Sequence, residues 1–201
     1  NRRSIGIEIV SDYCKIADEF DISRKTPWPE FEIFLRALHV LQKKRSVPLR
    51  LLDVGCGNGR LANFLQDEMI IYTGIDNSKN LLALAKKNAP IFKKNTIKFK
   101  NADITKRLPF PTGHFDVIAC IAVLHHLPTQ KLQLFALKEL RRVLAHGGFL
   151  FITVWNLWQQ KYRRYIEGKS HHSYIPWGAV TKRFYYAFKE KELRELLQTA
   201  G

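Results

Sequence analysis

The sequence predicts an α/β fold, a mostly parallel sheet with helices on both faces. Three observations predict it. Apolar runs of strand length alternate with helix-patterned segments through the middle of the chain, which is the signature of βα units in one sheet. Residues 115–123 are almost wholly apolar, as a central parallel strand buried on both faces must be. A glycine-rich turn, Gly55-Cys56-Gly57-Asn58-Gly59, joins the first apolar run to a helical segment.

The elements follow in order. Ile5, Ile9, Tyr13, Ile16, Ala17 and Phe20 recur at helical spacing. Pro27 and Pro29 hold 23–29 extended around Trp28. Pro29 then opens a second helix, to about Lys44, striped by Phe31, Phe34, Leu35, Leu38 and Leu41. Strands are expected at 49–54, 69–75, 96–102, 115–123 and 149–155. Helices are expected within 57–68, at 78–88 with Ser78 as its cap, at 128–144, and at 189–200. His146-Gly147-Gly148 should stop the helix at 128–144. Residues 156–181 read as a polar, aromatic insertion.

The 201 residues suit one domain. It divides into a helical N-terminal extension (1–48), a core (49–155), and an insertion with the last helix (156–201). The chain starts without Met and stops just after a helix, so it reads as a fragment or a processed chain, and further C-terminal strands are expected in the natural protein.

Charge narrows the partners. Lys and Arg total 33 against 18 Asp and Glu, a net charge of +15. Such an excess predicts an anionic partner, nucleic acid ahead of a membrane surface. Lys86, Lys87, Lys93, Lys94, Lys98 and Lys100 cluster around the third strand. Lys161, Arg163 and Arg164 lie in the insertion. The three cysteines, Cys14, Cys56 and Cys120, form no CxxC pair. Neither a disulfide framework nor a zinc knuckle is indicated, no metal site is expected, and a reducing cytoplasm fits. No run of about 18 apolar residues marks a membrane span.

The chemistry concentrates at the carboxyl ends of the strands, where open α/β sheets bind ligands. Gly55 and Gly57 can take backbone angles other residues resist and let a ligand approach the main chain. Asp53 can receive a cation. Asp76, ending the second strand, can accept both hydroxyls of a ribose. Asp103 can meet an adenine amino group, with Ile104 packed on the ring. The glycine spacing departs from the dinucleotide fingerprint, because the third glycine comes one residue early.

These residues resemble the class I methyltransferases that use S-adenosylmethionine (SAM). The resemblance runs through Asp53-Val54-Gly55-Cys56-Gly57-Asn58-Gly59, Gly74-Ile75-Asp76, Ala102-Asp103 and Phe115-Asp116-Val117-Ile118. It implies a Rossmann-like sheet and a SAM site at Asp53, Gly55, Gly57, Asn58, Asp76, Asn77, Asp103, Ile104 and Ile121.

A second set is more specific: Arg24-Lys25-Thr26-Pro27-Trp28-Pro29, Ile121-Ala122-Val123-Leu124-His125-His126-Leu127, Ile152-Thr153-Val154-Trp155 and Arg183-Phe184-Tyr185-Tyr186-Ala187-Phe188. It resembles the tRNA wobble-uridine carboxymethyl methyltransferases, which include fungal tRNA methyltransferase nine and the methyltransferase domain of AlkB homologue eight. The resemblance implies esterification of a carboxymethyl group on a wobble uridine, with Arg24, His125, Trp155 and Arg183 facing the acceptor. Tyr185 and Trp155 are suited to stack on a splayed base of the anticodon loop. It also implies a small zinc-binding activator subunit, which could add a strand at the third strand's edge. Two departures stand out: Lys25 and Thr26 replace an aromatic and a basic residue, and Tyr186 stands where His is common.

Other readings stay open from sequence. His125 also reads as a structural histidine, Trp155 as a core residue and Arg183, beside Lys182, as a solvated charge. Tyr185 and Tyr186 point opposite ways if extended. Arg141 and Arg142 read as cations answering a helix dipole, and His171 and His172 as loop residues. A methyltransferase of a small metabolite or quinone is the first alternative function. A non-catalytic protein of this fold that binds RNA or a partner is the second.

Overall fold

The computed structural model describes residues 29–43, 45–65, 68–89, 96–168, 170–177 and 181–201. The helix expected at 5–20, Arg24 and Trp28 lie outside the described residues.

Five strands form one sheet: β1 (Leu49–Val54), β2 (Ile70–Asp76), β3 (Thr96–Asn101), β4 (Phe115–Ile121) and β5 (Leu144–Thr153). Their order is β3-β2-β1-β4-β5 and every neighbouring pair is parallel. The chain therefore runs outward from β1 to one edge, then crosses back to the other side of β1. That reversal opens a crevice at the carboxyl ends of β1 and β4.

Side-chain alternation explains the apolar runs. Leu49 and Leu51 of β1, with Val117 and Ala119 of β4, face one side. There they meet Phe34 and Leu38 of α1 (Pro29–Gln42) and Leu61 of α2 (Arg60–Asn63). Leu52, Val54, Ile118 and Cys120 face the other. There they meet Leu137 and Leu140 of α4 (Gln130–Val143) and Leu196 of α6 (Glu190–Ala200). Burial on both faces leaves no polar alternation to read. Between α2 and α4 in sequence, α3 (Lys79–Lys87) packs against β2 and β3. Its cap is as expected: Ser78 Oγ accepts from Leu81 N at 3.3 Å.

Two expectations need correction, and the insertion gains detail. The helix within 57–68 is only Arg60–Asn63. Gly57 and Gly59 hold φ of +55° and +77°, which no α-helix contains, so helix cannot start before Arg60. The fifth strand starts at Leu144, ahead of the His146-Gly147-Gly148 stop. It pairs Leu144 with Phe115, then Phe149 with Val117, so the residues between bulge outward. The described residues within 156–181 form secondary structure of their own. They hold α5 (Gln160–Arg163), β6 (Ile166–Glu167) and β7 (His172–Trp177). With β8 (Thr181–Tyr186), the two strands make an antiparallel sheet in the order β6-β7-β8. Leu157, Ile175, Tyr185 and Ala187 give it a separate small core.

Histidines fasten this small sheet to the rest of the domain; His171 stands in a turn as expected, whereas His172 does not lie in a loop. His172 opens β7 and its Nε2 lies 3.1 Å from the carbonyl of Pro128. His171 Nδ1 lies 3.2 Å from Glu192 of α6. His126 Nδ1 lies 3.0 Å from the carbonyl of Phe184 in β8.

Arg142 does more than answer a dipole. It pairs with Glu139 and donates to the carbonyls of Leu108 and Phe110 at 3.0 and 2.9 Å. Glu139 accepts from Leu108 N at 2.9 Å. The pair thus clamps the loop that leaves Asp103–Thr105. At the opposite end of the sheet, Asp116 accepts from Arg50 at 3.0 Å and from Arg45 at 2.9 Å. Among the described residues, no helix is long and apolar enough to cross a membrane.

Candidate active site

A cavity of about 360 Å³ opens at the carboxyl ends of β1, β2 and β4, a size suited to a small ligand. Its lining includes every site residue expected from sequence that is described. Asp53, Gly55, Gly57, Asn58, Asp76 and Asn77 lie on it, as do Asp103, Ile104 and Ile121. So do His125, Trp155, Arg183 and Tyr185. The expectation for Arg24 falls outside the described residues.

The first half of the cavity is acidic. Asp53 is 4% exposed and accepts a hydrogen bond of 2.5 Å from the Tyr72 hydroxyl. Burial raises its pKa to about 7 against the lowering effect of Tyr72. Arg60 also acts to lower it, and a further cation beside this buried carboxyl would favour its ionised form. Asp76 ends β2. Its Oδ2 accepts from Gly57 N at 2.9 Å and its Oδ1 from Ser78 N at 2.8 Å. Each oxygen keeps further acceptor capacity, which a vicinal diol can use. Asp103 Oδ1 accepts from Thr105 N and Oγ1 at 2.9 and 2.7 Å. Its Oδ2 accepts from no described residue. Ala102 and Ile104 supply an apolar wall beside it.

The turn between these carboxylates requires glycine. Gly55 has φ +66°, and a Cβ there would stand 2.4 Å from Cγ2 of Val123. Ala122, just before, holds φ +59°, an uncommon conformation outside glycine. Its N–H donates to Thr153 O and Oγ1, both at 3.1 Å. That left-handed residue turns β4 into the short 3₁₀ turn Leu124–His126 and brings His125 to the cavity.

The second half is aromatic and cationic. Trp155 stacks on Tyr185 at 5.1 Å and 13°, and on Tyr162 of α5 at 6.0 Å and 30°. Arg183, far from a solvated charge, is 5% exposed. Its guanidinium carbon lies 4.2 Å from the Trp177 ring, 5.2 Å from Tyr185 and 5.7 Å from Trp155. Adjacent Lys182 is exposed, so strand alternation separates two cations that look alike in sequence. Tyr185 and Tyr186 diverge as expected: Tyr185 lines the cavity, while Tyr186 packs on Phe188 and donates to Glu192.

His125 is 1% exposed, and burial holds its pKa well below 6.5. Its Nδ1 accepts from Trp155 N at 3.1 Å. The neutral ring therefore carries its proton on Nε2, which is buried and without a partner among the described residues. Trp155 consequently does two things: its ring walls the cavity and its backbone orients His125. Burial also lowers His126, to about 4.

Sequence reading missed Tyr72, Tyr162 and Trp177. A tyrosine inside an otherwise apolar strand is the available signal for Tyr72, because a buried hydroxyl needs a partner. Tyr162 and Trp177 carry none, since their roles arise from a short helix and a sheet that read in sequence as an insertion.

The arrangement fits SAM. A cationic amine can meet Asp53, a ribose diol Asp76, and an adenine Asp103 and Ile104, with the opposite half left for an anionic, planar acceptor.

Comparison with known proteins agrees. The methyltransferase-domain family model matches residues 52–152. The tRNA (carboxymethyluridine(34)-5-O)-methyltransferase of Schizosaccharomyces pombe is 30% identical over 94% of this chain and 86% of its own length. The Xenopus tropicalis protein named tRNA (carboxymethyluridine(34)-5-O)-methyltransferase alkbh8 is 38% identical over 76% of this chain, which covers 21% of that protein. Among solved structures, a SAM-dependent methyltransferase from Methanosarcina mazei superposes with a TM-score of 0.68 at 25% identity, covering 80% of this chain and 82% of that one. A parallel sheet in this order, an acid-lined glycine turn and identity spread over nearly the whole chain lead to one conclusion: this chain belongs to the SAM-dependent methyltransferase family with the class I Rossmann-like fold, alongside the tRNA (carboxymethyluridine(34)-5-O)-methyltransferases.

Proposed function

We propose that the protein methylates the carboxylate of a 5-carboxymethyl-type uridine at the wobble position of tRNA. The observation that carries this reading is Arg183, a buried guanidinium in the SAM cavity held by rings and by no carboxylate of the described residues. A buried charge wants a partner, and an anionic acceptor supplies it. The S. pombe relative, matched over 86% of its length, acts by its name on that nucleoside.

SAM supplies a methyl group activated on a sulfonium. The protein's part is to hold and align. Asp53, Asp76, Asp103 and Ile104 hold the cofactor, with Gly55, Gly57, Asn58, Asn77 and Ile121 shaping its bed. Arg183 and the Nε2–H of His125 hold the acceptor carboxylate. A carboxylate is already ionised at neutral pH, so no general base is needed. Bound there, SAM would supply its methyl carbon to one carboxylate oxygen, with the carbon–sulfur electron pair kept by the departing thioether. No proton moves. Catalysis is then alignment and exclusion of water, and the walls of Trp155, Tyr185 and Tyr162 serve both. Trp155 and Tyr185 also offer faces for a splayed base.

The exposed Lys161, Arg163 and Arg164 lie around Tyr162, which stacks on the cavity wall. They suit the phosphates flanking the target nucleotide. Strand β3, with Lys98 and Lys100, stands at the edge of the main sheet. It suits an activator subunit that adds an acidic strand there. The same reading places the enzyme in the cytoplasm.

Incubation with labelled SAM and undermodified tRNA, followed by nucleoside mass spectrometry, tests this. A base-labile methyl on a 5-substituted uridine is the expected product. A base-stable ring methyl, or label on metabolites alone, overturns the acceptor assignment.

A further inference from the structure

Arg183 and His125 share an unusual surrounding. Buried arginines are ordinarily paired with a carboxylate, yet Arg183 is stabilised by the faces of Trp177, Tyr185 and Trp155. Rings stabilise a cation without satisfying its N–H groups, and Arg183 Nε has no hydrogen-bond partner among the described residues. His125 borders two of the same rings, 5.0 Å from Tyr185 and 6.1 Å from Trp155. Its one acceptor nitrogen is occupied by Trp155 N, so Nε2–H is all it offers. Two cavity-lining residues thus bring a guanidinium with no carboxylate partner and an unpartnered imidazole N–H together, and neither supplies an acceptor.

We infer that Arg183 and His125 form a selectivity gate that admits a carboxylate and turns away its two neutral near-isosteres, the carboxamide and the methyl ester. This rests on the proposed reaction and adds its specificity. A carboxylate is acceptor-only on both oxygens and carries the missing charge. A carboxamide of the same shape sets an NH₂ against donors and leaves the guanidinium uncompensated. Unpaired buried groups of this kind give strong rejection of a close analogue. The methyl ester is also neutral, and it is the reaction's own product. Arg183 thus loses its counter-charge when the new bond forms, and product binds more weakly than substrate.

The test uses binding without turnover. Three anticodon stem-loop RNAs, identical except for a carboxymethyl, carbamoylmethyl or methoxycarbonylmethyl group on the wobble uridine, are titrated into enzyme saturated with S-adenosylhomocysteine. The acid is expected to bind at least about tenfold more tightly than either neutral form. Arg183→Gln should bring the three Kd values within about twofold of one another, and Arg183→Lys, which keeps the charge, should retain part of the preference. Unchanged affinity of Arg183→Gln for S-adenosylhomocysteine certifies its fold. If that variant does not fold, the wild-type series and Arg183→Lys decide. Equal affinities in the wild type, or an undiminished preference without the guanidinium, overturn the inference. Wild type that esterifies the acid RNA but binds all three alike sinks only the gate. Wild type that forms no ester sinks the proposed function instead.

Discussion

The backbone N–H of Trp155 donates to Nδ1 of His125 across 3.1 Å, and this one bond decides what the histidine can do. It fixes the proton on Nε2, a buried donor with no partner among the described residues. A general base it is not. His125→Ala should lower kcat/KM by about 100-fold, the scale of losing a positioned donor at a reacting group. His125→Gln, which can place an amide N–H near the Nε2 position, should recover part of the loss. With SAM saturating, the wild-type rate should show no inflection from this histidine near pH 6.5, because burial keeps it neutral there. A steady-state pH profile of wild type and both variants checks all three statements.

If Asp53 holds the cofactor's amine as proposed, cofactor binding is pH-dependent. Its carboxyl titrates at about 7 in the folded protein, and only its ionised form pairs with an ammonium. SAM affinity should rise from pH 6 to pH 8 and flatten above. Binding near pH 7 should release a fraction of a proton, visible as a dependence of the calorimetric heat on buffer ionisation. Asp53→Asn should remove that dependence and weaken binding by about tenfold to 100-fold, the range for losing one charged partner. Its effect on stability without cofactor has the opposite sense. The raised pKa means the folded state binds more protons than the unfolded chain between about 4 and 7, so this group's contribution falls as pH rises through that window.

His126 works the other way. Its folded pKa of about 4 lies below the ordinary histidine value, so the unfolded chain binds more protons between about 4 and 6.5. Stability from this buried neutral ring is present above 6.5 and is lost as pH falls toward 4. Asp116 adds to the same trend. Burial raises its pKa, but Arg50 and Arg45 outweigh that and hold it below the usual carboxylate range. It stabilises the fold above pH 4 and ceases to do so as acid protonates it. Asp116→Asn should cost about 1–3 kcal/mol at pH 7, less than a fully buried pair because both arginines are partly exposed. Thermal melts of the two chains from pH 7 downward should converge as the carboxylate is neutralised.

The cations around α5 and those of β3 should separate in a salt titration. Reversing Lys161, Arg163 and Arg164 to Glu should weaken tRNA binding. It should also flatten the slope of log K against log salt by about 0.7–0.9 for each phosphate no longer neutralised. Reversing Lys98 and Lys100 should leave the slope nearly unchanged. Filter binding at several salt concentrations checks this, with SAM affinity as the control for an intact fold. Equal effects from the two sets would contradict a footprint centred on α5.

The cofactor half is legible in the sequence because it is local. Asp53, Gly55 and Gly57 sit within one strand and its turn, and the two-residue period of β1 fixes which way each side chain points. Asp76 and Asp103 follow at the ends of the next two strands, so sequence order is spatial order. The acceptor half is legible only through resemblance. Arg183, Phe184 and Tyr185 are buried in succession, which erases the alternation that marks a half-exposed strand, and much of the sheet they belong to reads as a polar, aromatic insertion. Its pairing across β7 is what sets Trp177 near Arg183, and pairing is invisible to local pattern. The short helix after Gly59 illustrates the converse. A helical pattern continues past 63, but backbone angles fixed by glycine at one end and the turn at Phe64 at the other leave room for a single turn.

The cavity has an acidic pole and a guanidinium pole, and in the proposed reaction the methyl would pass between them. Transfer discharges the sulfonium and the acceptor carboxylate in the same step, while the ammonium at the acidic pole persists. The guanidinium pole alone is left bare by the spent pair. A tethered compound with an ammonium at one end, a carboxylate at the other and an uncharged thioether bridge between would satisfy both poles at once and have no reaction by which to discharge itself. Such a bisubstrate mimic is the inhibitor that this division of charge invites.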